Sequence, residues 1–215
     1  MLCIIGIDEA GRGPLAGPVA VGAVRLPRDF DIASVVGAKD SKQMTPLARE
    51  KLYEKMCILR AAGEIDFAVA FSPAAMIDEE GIVPAIRAAL ASALEGAMGT
   101  IAPQGHGHFT NAEYREVKLV SPDECDVRLD GGLRAPDIFK HQTTIIRGDE
   151  TELAISLASV AAKVERDRVM REIAKQFPAY GFEIHKGYGT AKHLQAIKDH
   201  GLCLIHRASF CSKIS

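Results

Sequence analysis

The sequence predicts an α/β layered domain, in which the strands of one sheet are interleaved with helices. Short apolar runs rich in β-branched residues recur along the 215-residue chain, and longer stretches with helical periodicity separate them. Gly or Pro marks most of the boundaries between the two. Such interleaving is typical of layered α/β domains. At this length we expect one domain, and a hydrophobic content of 47% is enough for a sizeable core.

The first hundred residues predict three strands and two helices. The expected strands cover residues 2–7, 19–26 and 64–71, and the expected helices cover 46–60 and 82–98. The first strand runs into Asp8 and Glu9. Thr45 is a candidate N-cap with Pro46 at the first helical position, and Gly63 is a candidate end of that helix.

The remaining residues predict two strands and two helices after an exposed loop over 99–112. The expected strands cover residues 125–130 and 143–147, and the expected helices cover 151–176 and 190–200. Thr151 is a candidate cap for the first of these helices, and Phe177-Pro178 stops it. Gly201 ends the last helix.

Cysteine usage and the apolar runs predict a cytoplasmic protein. The five cysteines are odd in number and form no CxxC pair, which fits a reducing compartment better than a disulfide framework or a zinc site. The apolar runs are too short and too often broken by Gly and Pro to span a bilayer. The apolar first residues lack a basic leader, so a secretory signal is not expected.

The charge is distributed unevenly along the chain. A net charge of −2 argues against a generic electrostatic nucleic-acid binder. Residues 151–215, however, carry ten Lys and Arg against six Asp and Glu, so residues 1–150 are acidic. An acidic body with a basic final segment suits a site that holds cations beside a surface that holds an anion. A random scatter of surface charge explains the same numbers.

Four acidic residues are placed where sites form in α/β proteins. Asp8 and Glu9 end the first strand, Asp130 ends another, and Asp149 lies just beyond a third. Carboxylates that converge there need cations, and oxygen ligands alone select Mg²⁺ or Mn²⁺. Two such ions can clamp the attacking and leaving oxygens of a phosphodiester. The alternative is that Asp-Gly and Gly-Asp pairs are ordinary turn residues.

The connection after Glu9 contains Gly11, Arg12 and Gly13. Its G-x-G-x-x-x-G spacing is one residue too long for a dinucleotide-binding fingerprint, and it leads into a strand instead of a helix. Small residues let the backbone approach a sugar-phosphate closely, and Arg12 supplies a planar fork for phosphate. A tight strand connection explains the same residues.

Longer motifs resemble the ribonuclease HII family from residue 4 to residue 211. The first matching segment, GIDEAGRGPLAGPV, contains both Asp8 and Glu9. The matching segments are residues 6–19, 40–42 (DSK), 158–167 (ASVAAKVERD), 185–190 (HKGYGT), 193–194 (HL) and 206–210 (HRASF).

This resemblance implies a ribonuclease-H-like mixed β-sheet flanked by helices. We expect one catalytic domain over 1–215, with a substrate-binding helical segment over about 177–215. The implied activity is that of a metal-dependent endonuclease that cuts the RNA strand of RNA–DNA hybrids. The family also cuts 5′ to single ribonucleotides in duplex DNA, leaving 5′-phosphate and 3′-hydroxyl ends. Two Mn²⁺ or Mg²⁺ ions and a monomeric state are expected.

The family's catalytic set corresponds here to Asp8, Glu9, Asp130 and Asp149, which would hold the metal ions. Asp167 also lies in a matching segment and competes for the last place. Because Asp167 sits in mid-helix beside two arginines, a structural ion pair is the better explanation for it, and Asp149 is preferred.

The resemblance also implies contacts with nucleic acid. The Gly11-Arg12-Gly13 loop would read the 2′-hydroxyl at the RNA–DNA junction through its backbone, and Tyr188 would stack beside the scissile nucleotide. Lys42 would contact a phosphate. Without the family, Tyr188 would be taken for a half-buried aromatic and Lys42 for a solvated lysine. Two other functions stay open, a catalytically silent hybrid-binding module and another two-metal phosphohydrolase.

Overall fold

One five-stranded sheet forms the frame of the protein. The computed structural model describes residues 2–35, 44–99, 120–212 and 214. The expected phosphate contact of Lys42 lies outside the described residues, and so does the predicted loop over 99–112 apart from Gly99.

The sheet is mixed, with order β3-β2-β1-β4-β5. Its strands are β1 Cys3–Ala10, β2 Val19–Pro27, β3 Asp66–Ser72, β4 Cys125–Asp130 and β5 Gln142–Ile145. Strands β1 and β4 are parallel, as are β4 and β5, whereas β2 runs antiparallel to both of its neighbours. All five predicted strands are present. Strand β1 is longer than predicted and includes the two acidic residues at its end.

Eight α-helices are described. They are α1 Pro46–Ala62, α2 Ala74–Glu80, α3 Ile82–Ala97, α4 Gly148–Thr151, α5 Leu153–Gln176, α6 Phe182–His185, α7 Ala191–His200 and α8 Ala208–Cys211. The predicted cap of α1 is confirmed, because Thr45 Oγ1 accepts a hydrogen bond from the Ala48 amide at 3.2 Å. Gly63 ends that helix with φ 77°. No helix in the described ranges is long and apolar enough to cross a membrane.

The prediction of Thr151 as a helix cap was wrong. The chain turns at Arg147, whose φ of 55° is left-handed, and the short helix α4 forms first. Thr151 is the last residue of α4, and Glu152 is the N-cap residue of α5. Glu152 also pairs with Arg128 of β4 at 2.5 Å, which fixes the break between the two helices. Helix α2 was not predicted, because seven residues are too few for a clear periodicity.

Helix α5 lies unusually close to one face of the sheet because small residues meet at the contact. A Cβ on Gly6 of β1 would lie 2.0 Å from the carbonyl carbon of Ala154, and one on Gly22 of β2 would lie 2.4 Å from the Ala158 oxygen. Helix α3 covers the opposite face with its own row of buried alanines, Ala85, Ala89, Ala93 and Ala97. The helix that follows Asp149 is thus pressed against the strand that carries Asp8.

We predict that Gly6→Ala destabilises the fold by about 2–3 kcal/mol, because the added methyl overpacks a backbone contact that cannot relax. Urea unfolding measures this change. Gly132→Ala is the matched control: a Cβ there meets nothing within 4 Å, so its effect should stay within about 0.5 kcal/mol. Equal stability of the two variants would contradict the proposed close contact.

Candidate active site

Three of the predicted carboxylates meet at one edge of the sheet. Asp8 and Glu9 lie near the end of β1, and Asp130 ends the parallel neighbour β4. The pairing of Ile7 with Leu129 places Asp8 and Asp130 at the same level of the two strands. The negative charges of Glu9 and Asp130 both act on Asp8, so the structure brings these three side chains into one electrostatic group.

Asp149 reaches the same edge through the turn between β5 and α4. The amide of Gly148 donates a hydrogen bond to Asp130 Oδ1 at 2.7 Å, which ties the start of α4 to the end of β4. A Cβ on Gly148 would lie 2.5 Å from Ile155 Cδ1 of α5, so glycine allows this approach. Asp149 follows directly and is buried, with 1% of its surface exposed.

Burial makes ionisation of these carboxylates costly. It is the main cause that raises the pKa of Asp8 to about 7, and the neighbouring charges of Glu9 and Asp130 add to it. Hydrogen bonds from Ser159 of α5 and from the Glu9 amide (2.8 Å) oppose the shift. Burial also raises the pKa of Glu9, against the attraction of Arg12 at 3.3 Å. Cations near these oxygens would favour the ionised forms.

The donor set fits a hard divalent cation. The four candidate ligands offer only carboxylate oxygens, which suit Mg²⁺ or Mn²⁺ and not a soft metal. Among the described residues, no three His, Cys, Asp or Glu side chains are gathered as a finished metal-ligand cluster. Like charges keep carboxylates apart when no cation lies between them. An ion would therefore have to draw these side chains together.

A buried arginine, Arg207, holds the Gly11-Arg12-Gly13 loop through hydrogen bonds to backbone carbonyls. The guanidinium of Arg207 donates to the carbonyl oxygens of Gly11 at 2.7 Å, Arg12 at 3.0 Å and Gly17 at 3.0 Å. In a trans peptide, the C=O of one residue and the N–H of the next point to opposite sides. The amides of Arg12 and Gly13 therefore point away from Arg207. The loop presents N–H donors beside the carboxylates.

A second buried arginine, Arg166 of α5, holds the other half of the same connection. Its Nε donates to the Pro18 carbonyl at 2.9 Å, and its Nη2 donates to the carbonyls of Ala16 at 3.4 Å and Lys186 at 3.1 Å. Burial lowers the pKa of both arginines, that of Arg207 to about 10, so both stay charged at neutral pH. Sequence reasoning gave neither arginine a role. The available signal was their position inside matching segments.

Arg166 and Arg207 together form an arginine clamp on this connection, and Tyr188 lies next to Arg166. Its side chain is 43% exposed, and its ring lies 5.8 Å from Arg166 Cζ and 6.0 Å from Lys163 Nζ. It borders a cavity of about 530 Å³ that also takes in Arg49, Lys163, Arg171 and Lys186. The competitor Asp167 makes a structural ion pair as expected, but its partner is Lys163 at 2.6 Å and not one of the neighbouring arginines.

Comparison with known proteins identifies the family of this chain. The family model described as Ribonuclease HII matches residues 5–213. The chain belongs to the ribonuclease HII family. Ribonuclease HII of Acetivibrio thermocellus is 39% identical over 207 residues, which cover 96% of this chain and 69% of that protein. Ribonuclease HII of Caldicellulosiruptor bescii is 39% identical over 211 residues, which cover 98% and 87%.

Solved structures share the fold. The ribonuclease HII of Archaeoglobus fulgidus, solved in complex with PCNA, matches with a TM-score of 0.69 at 20% identity, covering 98% of this chain and 94% of that one. The ribonuclease H2 of Pyrococcus horikoshii matches with a TM-score of 0.67 at 24% identity, covering 99% and 96%. The predicted ribonuclease-H-like mixed sheet is confirmed.

Family membership also confirms the predicted enzyme class, a type 2 ribonuclease H that is a metal-dependent endoribonuclease. It implies endonuclease activity on the RNA of RNA–DNA hybrids. The assignment of individual site residues stays a prediction.

We predict that Asp8→Asn stabilises the metal-free protein at pH 8 and not at pH 4. The folded state holds a proton on Asp8 up to a pKa of about 7, compared with an ordinary 3.8. The stability that this proton contributes is complete below pH 3.8 and is lost as the pH rises to 7. An amide avoids that loss, which we expect to be about 4 kcal/mol. Urea unfolding in EDTA across this pH range measures it, and an identical gain at both ends would contradict a buried proton on Asp8 as the cause.

Proposed function

We propose that the protein hydrolyses the RNA strand of RNA–DNA hybrids and cuts 5′ to single ribonucleotides embedded in duplex DNA. The products would carry 5′-phosphate and 3′-hydroxyl ends. One observation carries the ribonucleotide specificity: the amides of Arg12 and Gly13, which point away from Arg207, come three and four residues after Glu9. An N–H donor in that place can bind a 2′-hydroxyl oxygen, which DNA lacks.

The proposed cofactor is a pair of Mn²⁺ or Mg²⁺ ions held by Asp8, Glu9, Asp130 and Asp149. When bound, the ions supply an activated water and neutralise charge on the phosphate. The oxygen-only donors and the raised pKa of Asp8 and of Glu9 support this proposal. A solved ribonuclease HIII, Bst-RNase HIII, is in complex with Mn²⁺. It shares the fold with a TM-score of 0.61 at 16% identity, covering 93% of this chain and 63% of that one.

The chain's own residues then position the substrate. The loop amides bind the sugar at the junction, and Arg12, more than half exposed, lies beside Glu9 where it can meet a phosphate. The exposed face of Tyr188 stacks against the nucleotide at the cut. Lys42 would add a phosphate contact. Action as a single-domain monomer in the cytoplasm, with residues 177–215 as a substrate-binding segment, is part of the same proposal.

A substrate panel tests the proposed function. Duplex DNA, duplex RNA, an RNA–DNA hybrid and duplex DNA with one ribonucleotide are each incubated with Mn²⁺, with Mg²⁺ and with EDTA. We expect cutting of the last two substrates only, and only with metal. Binding of the hybrid without turnover in either metal would overturn the proposal in favour of a silent binding module. Cutting of all four would indicate another two-metal phosphohydrolase.

We predict that Asp8→Asn and Asp149→Asn each lower kcat by at least about 10³-fold at saturating Mn²⁺, because each removes a charged metal ligand. Glu150→Gln is the matched control, since this exposed carboxylate directly follows Asp149 and should leave the rate unchanged. Single-turnover cleavage of a duplex with one ribonucleotide gives the rates. An Asp149→Asn rate near that of wild type would remove this residue from the metal site.

We predict that Tyr188→Ala weakens binding of the same duplex by about 1–3 kcal/mol through loss of stacking. Tyr188→Phe keeps the ring and should bind almost as wild type does. The dissociation constants are measured in EDTA, so cleavage does not interfere. If Tyr188→Phe loses as much as Tyr188→Ala, the hydroxyl and not the ring face makes the contact, and the stacking role is wrong.

A further inference from the structure

Three buried histidines of the C-terminal segment form one connected group. They are His185, His193 and His206, with 8%, 0% and 5% of their surfaces exposed. The rings of His185 and His193 stack, with centroids 4.4 Å apart and planes 17° apart. The Nε2 atoms of His193 and His206 lie 3.1 Å from each other. The proposed mechanism so far uses none of them.

Hydrogen bonds fix the proton positions of His185. Its Nδ1 accepts a hydrogen bond from the Gly187 amide at 3.2 Å, so the ring proton is on Nε2. That proton is donated to the Tyr180 carbonyl at 2.7 Å. His185 is therefore a neutral imidazole with both nitrogens engaged.

The same reasoning assigns the ring protons of His206 and then of His193. His206 Nδ1 accepts from the Cys203 amide at 2.9 Å, so His206 carries its proton on Nε2 and donates it to His193 Nε2. His193 must then be protonated on Nδ1, which donates to the Tyr188 carbonyl at 2.9 Å. Each bond sets the direction of the next, and the series ends on the backbone of Tyr188.

Two histidines thereby hold the backbone at Tyr188. His185 accepts from the amide of Gly187, and His193 donates to the carbonyl of Tyr188 itself. The Gly187 carbonyl accepts from the Leu15 amide at 2.8 Å, which joins this backbone to the connection after β1. A Cβ on Gly187 would lie 2.2 Å from the Ala16 oxygen, so the two segments touch. The position of the Tyr188 ring relative to the Gly-Arg-Gly loop depends on these contacts.

We propose that His193, oriented by His206, is a positioning residue that sets the place of Tyr188 beside the scissile nucleotide. This inference rests on the proposed function, because it acts through the stacking role of Tyr188. Neither histidine touches the substrate. Both act through hydrogen-bond direction, which requires neutral rings.

Protonation of His193 would break the hydrogen bond between the two histidines, because its new Nε2–H would face the Nε2–H of His206. The titratable groups in contact with His193 are His185 and His206, and Cys203 and Tyr180 contact His206 in turn. Burial is the main cause that lowers the pKa of His193 to about 4, and burial also lowers that of His206. The neutral arrangement therefore persists at physiological pH and is lost as the pH falls towards 4.

The test is a double-mutant cycle on duplex affinity in EDTA, with a DNA duplex that carries one ribonucleotide. His193→Leu removes the side-chain donor to the Tyr188 carbonyl, which among the described residues keeps only the Thr190 amide, at 2.8 Å. We expect this variant to weaken binding about tenfold, close to the effect of Tyr188→Ala. His193→Asn keeps a donor near the position of Nδ1 and should bind within about twofold of wild type. In a Tyr188→Ala background, His193→Leu should cause no further loss.

Two results would overturn the inference: wild-type affinity of His193→Leu, or a loss that multiplies with that of Tyr188→Ala. If His193→Leu does not fold, His193→Gln replaces it, because its amide sits near Nε2 and leaves the Tyr188 carbonyl without the side-chain donor. Equal binding of the Gln and Asn variants then overturns it. A wild-type protein that cuts none of the four panel substrates would refute the proposed function, whereas cutting with an additive cycle refutes only this inference.

Discussion

The described architecture depends on two buried guanidinium groups that grip one short connection. Arg166 comes from the helix packed under the sheet and Arg207 from the end of the chain, and both are 0% exposed. A buried charge is tolerable only when hydrogen bonds satisfy it. Here backbone carbonyls of residues 11–18 and of Lys186 accept from both groups, although Nη1 of Arg166 is buried without a hydrogen-bond partner among the described residues. Those carbonyls gain partners that the irregular loop cannot provide. The clamp joins three distant parts of the sequence into one surface.

That clamp places the Gly11-Arg12-Gly13 loop beside a group of carboxylates that are costly to ionise. Asp8 sits on a strand whose Gly6 admits α5 at backbone distance, and the same close packing removes water from the carboxylate. The fold thus holds acids whose ionised forms a bound cation would stabilise, and such shifted acids are common in catalytic sites. The energy that this arrangement costs the metal-free protein is what a divalent ion would recover on binding.

The strands were predictable because each is short, has strand-like residues and has a clear end. In Cys125–Asp130, buried apolar residues alternate with polar ones up to the turn. The grouping of the carboxylates followed from where these ends lie, since the topology brings Asp8, Glu9 and Asp130 to one edge. The failures come from contacts that a local sequence pattern does not show. The break between α4 and α5 depends on the left-handed Arg147 and on the pairing of Glu152 with Arg128, a contact between residues 24 apart. Arg166 and Arg207 act through carbonyls up to 196 residues away, and no local pattern shows that.

The overall charge of the chain is a poor guide to its binding partner. The net charge of −2 counts the clustered carboxylates as if they faced solvent. If two divalent ions are held there, they bring four positive charges to the point where a phosphate must sit. The adjoining cavity beside Tyr188 has four basic lining residues and two acidic ones, so its lining carries a net positive charge. They are Arg49, Lys163, Arg171 and Lys186 against Glu50 and Asp167. A duplex would therefore meet a locally basic surface on a chain whose total charge is negative.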